Sequence, residues 1–376
     1  MNPSITEKID RYREEKTPLS KIIVIYGPTG CGKTALSLEV AEYLRDLHLS
    51  VLPTSKFHPS TSYSPFIVSV DSRQIYQHMD IGTGKILPHE MAWIQHFGLD
   101  LVDPDVTFSM VDFRNAIESL PIWQEWLNSG DIQSSISNTT QEIDSFVPRN
   151  DSNIEFSISS KLSTNVPRFQ DSKLLPILCG GTGLYIDGLI YDMQYPDTPP
   201  DWEYREALER IRIHEGNQIL WNMLEVVDPT YAQELDVNNY RYVMRGLEVI
   251  RATGKSKYES KGKKIPRFSP LFLTPYTDSD RGELYARVDN RVEWMFKNWL
   301  LAEVEYIMNN FNSNCPGLAT IGYKEVVDHL EWRLSLEESI RLVQQHSRNY
   351  AKRQITWNKK YEYYNSTCSM RTTSIW

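Results

Sequence analysis

The stretch Lys21–Thr34, KIIVIYGPTGCGKT, decides the fold class of this chain. Ile22–Tyr26 is an unbroken apolar run, as expected of a parallel strand buried on both faces. The run stops at Gly27, and Gly27-Pro28-Thr29-Gly30-Cys31-Gly32-Lys33-Thr34 fits G-x-x-x-x-G-K-[ST] without a gap. Glycines there let backbone N–H groups turn inward, and the following helix offers the positive end of its dipole. Lys33 adds a full charge, and the Thr34 hydroxyl suits a phosphate-bound Mg²⁺. A good helix, ALSLEVAEYL, follows at once. Strand, loop and helix in that order make a phosphate-binding site of Gly27 to Thr34. Read alone, the loop suggests ATP or GTP as its cargo.

The chain has 376 residues, enough for one large or two modest domains. Its 40% hydrophobic and 24% charged content is that of a soluble globular protein. A net charge of −9 leaves no global field to attract nucleic acid, so such a partner needs local basic patches. Cys31, Cys179, Cys315 and Cys368 are far apart, which argues against a zinc finger or a disulfide framework and fits a reducing compartment. The N-terminus has no apolar signal core and carries Glu7, Asp10, Glu14 and Glu15, unlike transit peptides. No run is long and apolar enough to span a membrane. The expectation is a cytoplasmic protein without membrane contact, working as a monomer.

Downstream, His48–Pro65 reads as a surface loop rich in Ser, Thr and Pro. Phe66–Asp71 reads as a second buried strand ending in a carboxylate, which strand-end logic sets beside the phosphate loop. A short strand closed by a turn is expected over His96–Pro104, and a helix bent at Pro121 over Asp112–Asn128. Residues 128–172 hold eleven serines and little periodicity, and read as an insertion without chemistry. Leu174–Cys179 is a third strand, followed by Gly180-Gly181-Thr182-Gly183. Pro199 to Thr253 is helical throughout, with Asp201 and Asn239 as candidate caps, and suggests an inserted helical subdomain. Arg251–Arg267 carries seven Lys/Arg against one Glu. Pro270–Thr274 reads as a strand, and Asp280–Phe311 as one long helix on which Arg287 and Arg291 share a face. The last helix, Leu336–Tyr364, interleaves Arg341, His346, Arg348, Lys352, Arg353, Lys359 and Lys360 with Tyr350 and Trp357, a plausible RNA-binding stripe. The boundaries that follow are 1–196 for the first part of the core, 197–256 for the helical insertion, and 257–376 for the rest of the core. Kinases, NTPases and diphosphate-using transferases all share these parts.

Ordered blocks narrow the choice. GPTGCGKTAL, VSVDSRQIYQHMDIGTGK, VDFRNAI, LPILCGGTGLYIDGL, RGLEVIRATGK, IGYKEV and AKRQITW occur here in sequence. In this the chain resembles the tRNA dimethylallyltransferases, also called tRNA isopentenyltransferases, from about Lys21 to about Trp357. The resemblance implies a P-loop NTPase-like α/β fold, a parallel sheet with an inserted all-helical tRNA-binding subdomain. It implies transfer of a dimethylallyl group from dimethylallyl diphosphate to N6 of the adenosine 3′ to the tRNA anticodon, with Mg²⁺. The loop would then hold a diphosphate leaving group, aided by Lys33, Thr34 and Arg287, with Thr29 near the allylic group. Asp71 matches the catalytic base and Thr182 a threonine holding the diphosphate and the target nucleotide. Asp71-Ser72-Arg73-Gln74 matches the segment around the flipped base, and Arg205 a tRNA-contacting arginine. Arg241-Tyr242-Val243-Met244-Arg245 matches a tRNA-binding QR-x-x-R segment, but the Gln-Arg pair reads Arg241-Tyr242. Gly246 replaces the usual alanine, and Trp299 a common glycine. Other readings are an adenylate isopentenyltransferase of cytokinin synthesis, a P-loop kinase, and a non-catalytic RNA-binding relic.

Overall fold

A computed structural model describes residues 1–49, 63–129, 172–193, 198, 201–257, 265–312 and 315–368. The serine-rich insertion and the tip of the His48–Pro65 loop lie outside the described residues. The remainder divides into two units, residues 1–190 with 267–376, and residues 191–266.

The first unit is built on five parallel strands: β1 Lys21–Tyr26, β2 Tyr63–Ser69, β3 His96–Phe97, β4 Lys173–Gly180 and β5 Ser269–Leu273, in the order β3-β2-β4-β1-β5. Apolar runs pay off here because parallel strands are covered on both faces. Alternate side chains divide between two cores, as the period of two requires. Ile23, Ile25, Ile67, Leu175, Ile177, Cys179 and Leu273 pack under helices α1 Pro3–Glu14 and α2 Lys33–Leu49. From the opposite face Tyr26 and Phe272 meet Tyr361, the Phe272 and Tyr361 rings stacked 4.7 Å apart. In this order β4 separates β2 from β1, and Asp71 after β2 nevertheless shares one cavity with the phosphate loop after β1, as its place at a strand end predicts.

Helix α1 is not anticipated by the sequence reading. Asn2 caps it, Pro3 opens it, and buried Tyr12 accepts the Ile22 N–H at 2.8 Å while donating to the Ser269 carbonyl, tying β1 to β5. The helix expected over Asp112–Asn128 is two, α3 Met110–Glu118 and α4 Pro121–Ser129, because Pro121 starts a helix more readily than it bends one. After β4 comes α5 Gly183–Ile190. The expected Asp280–Phe311 helix is likewise two, α10 Arg281–Lys297 and α11 Leu300–Asn310, broken where Trp299 takes a left-handed φ of 74°. Helices α12 Tyr323–Leu330 and α13 Leu336–Cys368 complete the unit.

The second unit holds α6 Trp202–Glu215, α7 Asn217–Val227, α8 Pro229–Gln233 and α9 Tyr240–Thr253 around Leu208, Leu220, Leu224, Tyr231, Val243 and Leu247. Asp201 caps α6 through the Tyr204 N–H, whereas Asn239 precedes α9 without a side-chain cap bond. Glu248, 1% exposed, organises the start of the unit: it accepts both prongs of Arg205 at 2.8 and 2.9 Å, the Asp201 N–H at 2.7 Å, and Arg245. Burial pushes its carboxyl up, but those donors outweigh burial and hold it below its ordinary value. Among the described residues no helix is long and apolar enough to cross a membrane.

Candidate active site

The carboxyl ends of β1, β2 and β4 open into a cavity of about 280 Å³. Thr29, Gly30, Gly32, Lys33 and Thr34 form one wall. Gly27, Gly30 and Gly32 have φ values of 150°, 80° and 92°, which is why glycine recurs in this loop. At Gly30 a side chain would also press on Val288 of α10, 3.1 Å from a built Cβ. Lys33 Nζ donates to the Pro28 carbonyl at 2.9 Å, holding its charge over the loop. Pro28 and Cys31 shape the loop from behind, where the buried Cys31 packs with Leu284 and Ile355.

Opposite the loop stands Asp71, which accepts the Arg73 N–H at 3.0 Å in a turn that fixes the carboxylate at the cavity wall. Thr182 stands behind it. The Thr182 hydroxyl accepts the Ser72 N–H at 3.0 Å and its own N–H bonds to the Val70 carbonyl, so it buttresses the Asp71-Ser72 turn and is not itself on the cavity wall. Arg73 stacks over Tyr350 at 5.0 Å and donates to the Ile321 carbonyl, while Gln74 links Ser69 to the Gly84 carbonyl. Burial pushes the Tyr350 phenol up, with Asp71 adding to the effect. Cys179 also faces the cavity, but burial pushes its thiol up to about 11, which makes it a poor nucleophile near neutral pH.

Arg291, rather than Arg287, reaches this cavity. Its guanidinium donates to the Thr29 hydroxyl at 3.3 Å and to the Thr83 carbonyl at 2.9 Å, and a Cβ on Gly84 would fall 1.7 Å from it. Burial lowers its pKa, partly offset by the attraction of Asp71. Arg287, one turn earlier, is half exposed and faces Glu283 at 3.9 Å. The two share a helix flank, but only at Arg291 is that flank covered by the Asp80–Lys85 loop. Glu303 of α11 anchors that loop by accepting three successive N–H groups, of Asp80, Ile81 and Gly82, at 2.8–3.0 Å.

The sequence model described as IPP transferase matches residues 74–132 and 159–361, more than half of the chain. This chain belongs to the IPP transferase family. The tRNA dimethylallyltransferase of Geobacillus thermodenitrificans (strain NG80-2) is 33% identical over 338 residues, covering 90% of this chain and 87% of the relative. That of Thermoanaerobacter sp. (strain X514) is 31% identical over 348 residues, covering 91% and 90%. The crystal structure of the tRNA isopentenylpyrophosphate transferase from Bacillus halodurans matches with a TM-score of 0.52 at 30% identity, covering 90% of this chain and 87% of that one.

In this IPP transferase the sequence-based RNA contacts fall into two groups. Asp71, Arg73 and Gln74 line the cavity, and Ser72 and Thr182 are bonded to each other behind its wall. Arg205 and Arg241 to Arg245 lie in the helical unit, and their side chains are not equally available. Arg205 and Arg245 are held by Glu248, with Arg245 also donating to Thr198. Val243 is fully buried in the core of that unit, and Met244 packs against that core while partly exposed. Tyr242 is 51% exposed, with Lys257 5.5 Å from its ring. Three residues were missed as site candidates by sequence reasoning: Arg291, His96 and Gln354. His96 lines the cavity, its Nδ1 3.0 Å from the Ile94 carbonyl and its buried Nε2 without a partner among the described residues. Burial lowers its pKa and favours a neutral ring with the Nε2 lone pair free to accept. A histidine opening a strand was the available signal.

Proposed function

We propose that this IPP transferase moves the dimethylallyl group of dimethylallyl diphosphate to N6 of the adenosine 3′ to a tRNA anticodon, working as a cytoplasmic monomer. The observation that carries the reading is the convergence on one cavity of a phosphate-binding loop, a cationic Arg291 and an isolated carboxylate, Asp71. A phosphoryl-transfer site and a prenyl-transfer site would share the loop. The carboxylate facing it favours an acceptor that must lose a proton.

In the proposed step the N6 lone pair attacks C1 of the allylic chain and the C1–O bond breaks. Diphosphate leaves with the bonding pair, and the N6 proton passes to Asp71. The loop N–H groups, Lys33 and Arg291 stabilise the charge that grows on the departing oxygen. Among the described residues no group of three or more His, Cys, Asp or Glu could hold a metal by itself. The hard hydroxyl oxygen of Thr34, on the loop wall of the cavity, nevertheless suits Mg²⁺ carried in on the diphosphate. When bound, that ion would neutralise charge on the leaving group. The adenine has to leave the anticodon stack to reach Asp71. Arg73 and Tyr350 at the rim supply a stacked cation and ring for it, and Lys352, Arg353 and Trp357 line an outer groove on α13 that fits a phosphate backbone.

Acceptor competition tests the reading. With labelled dimethylallyl diphosphate and Mg²⁺, unmodified tRNA should take the label in preference to AMP and ADP. Faster prenylation of the free nucleotides would assign the enzyme to a different acceptor, and ATP-dependent phosphoryl transfer to a different reaction.

A further inference from the structure

Gln354, in the AKRQITW block of α13, has no part in the mechanism above. Its side chain is 5% exposed and both ends of its amide are used. Oε1 accepts the Thr29 N–H at 2.7 Å, and Nε2 donates to the Gly181 carbonyl at 3.0 Å. One amide therefore joins the phosphate loop after β1 to the glycine loop after β4. Space for it depends on Gly181, where a Cβ would lie 2.2 Å from Nε2.

The helix is held at this point by more than Gln354. Tyr361 donates to Asp187 at 2.7 Å and to the Gly183 carbonyl at 3.2 Å, and Lys360 reaches Asp187 at 2.5 Å. A Cβ on Gly183 would strike the Trp357 indole at 2.0 Å, so α13 lies directly on the start of α5. Loss of the Gln354 amide alone therefore leaves the helix seated.

What changes is Thr29. Gln354 takes its N–H, and the Cys31 N–H turns back to the Pro28 carbonyl at 3.4 Å, so a phosphate is left to the other N–H groups of the loop. The Gln354 bond fixes the Thr29 hydroxyl where Arg291 reaches it at 3.3 Å. The geometry points to Gln354 as a positioning residue that sets the lip of the phosphate loop and, through Thr29, the Arg291 guanidinium, so that α13 tunes the grip on the substrate's diphosphate. This role rests on the proposed reading of the cavity as the dimethylallyl diphosphate site.

The test compares Gln354→Met, Gln354→Glu and Gly181→Ala with the wild type. Each is measured for melting temperature, for KM of both substrates with kcat, and for affinity to inorganic diphosphate by calorimetry. Gln354→Met keeps the volume and removes both bonds. It should raise KM for dimethylallyl diphosphate and weaken diphosphate about tenfold, leaving KM for tRNA within about twofold. Gln354→Glu keeps the acceptor for Thr29 but places a negative charge beside the anion, and should weaken diphosphate further. Gly181→Ala displaces the amide from the other side and should reproduce the Met phenotype. Unchanged diphosphate affinity in a folded Gln354→Met overturns the assignment, as does an equal rise in both KM values. If Gln354→Met does not fold, the same criteria apply to the other two variants. A wild type that binds diphosphate but transfers no prenyl group would overturn the proposed reaction while the calorimetry still decides the role of Gln354.

Discussion

Asp71 and Arg291 face each other across the cavity and do different work. Asp71→Asn keeps the shape and removes the proposed proton acceptor. Its kcat should fall by about 10²–10⁴ while tRNA affinity measured by filter binding stays near wild type. A comparable loss of affinity would make Asp71 an RNA-positioning group instead. The two arginines of α10 give a sharper contrast. Arg291→Ala should lower kcat/KM for dimethylallyl diphosphate by about 100-fold, as loss of a buried charge donor does, and Arg287→Ala by about twofold or less. Equal effects would remove the distinction that burial draws between them. Sequence spacing put both on one face but carried no information on which loop would cover that face. Gln354 stayed hidden for the same reason, since its partners come from the phosphate loop and the Gly181 loop, far away along the chain.

Among the elements, the break between α10 and α11 is the most instructive. Trp299 adopts φ 74° and ψ 14° with 77% of its surface exposed, so it bears left-handed strain with little packing in return. Trp299→Gly should raise stability by about 1 kcal/mol, the relief of strain exceeding the added chain entropy of glycine. Denaturant melts will show it, and a loss of stability would mean the exposed indole is held by contacts that outweigh the strain. At about 100° per residue Leu284, Val288, Val292 and Met295 share one face, whereas Leu300, Val304 and Ile307 lie about 130° round from it, so a shift of phase near Trp299 was the overlooked signal of the break. The resemblance, which has a common glycine in this region, hints at a turn as well. By contrast β1, β2, β4 and β5 were readable to within a few residues, since each is a short apolar run closed by a polar or glycine stop. Their order in the sheet was not, because pairing across 100 or more residues leaves no local trace.

For the molecule as a whole, the two units differ in what organises them. The helical unit is organised on Glu248, whose carboxyl is held below its ordinary value of 4.5 by Arg205, Arg245 and the Asp201 N–H, against burial. A depressed folded-state pKa means the contribution is complete above the unfolded value and is lost as pH falls through the folded one. Thermal melts from pH 7 down to about pH 3 should therefore lose stability below about 4.5, and Glu248→Gln should flatten that slope while lowering stability at pH 7. An unchanged slope would assign acid lability to other carboxylates. The central claim concerns chemistry at one cavity, and a single product analysis addresses it. The protein is incubated with dimethylallyl diphosphate, Mg²⁺ and a tRNA bearing an unmodified adenosine 3′ to its anticodon, and the digested nucleosides are read by mass spectrometry. The account requires N6-dimethylallyl adenosine at that position with one diphosphate released per modified base, whereas folded protein that leaves the adenosine unmodified would contradict it.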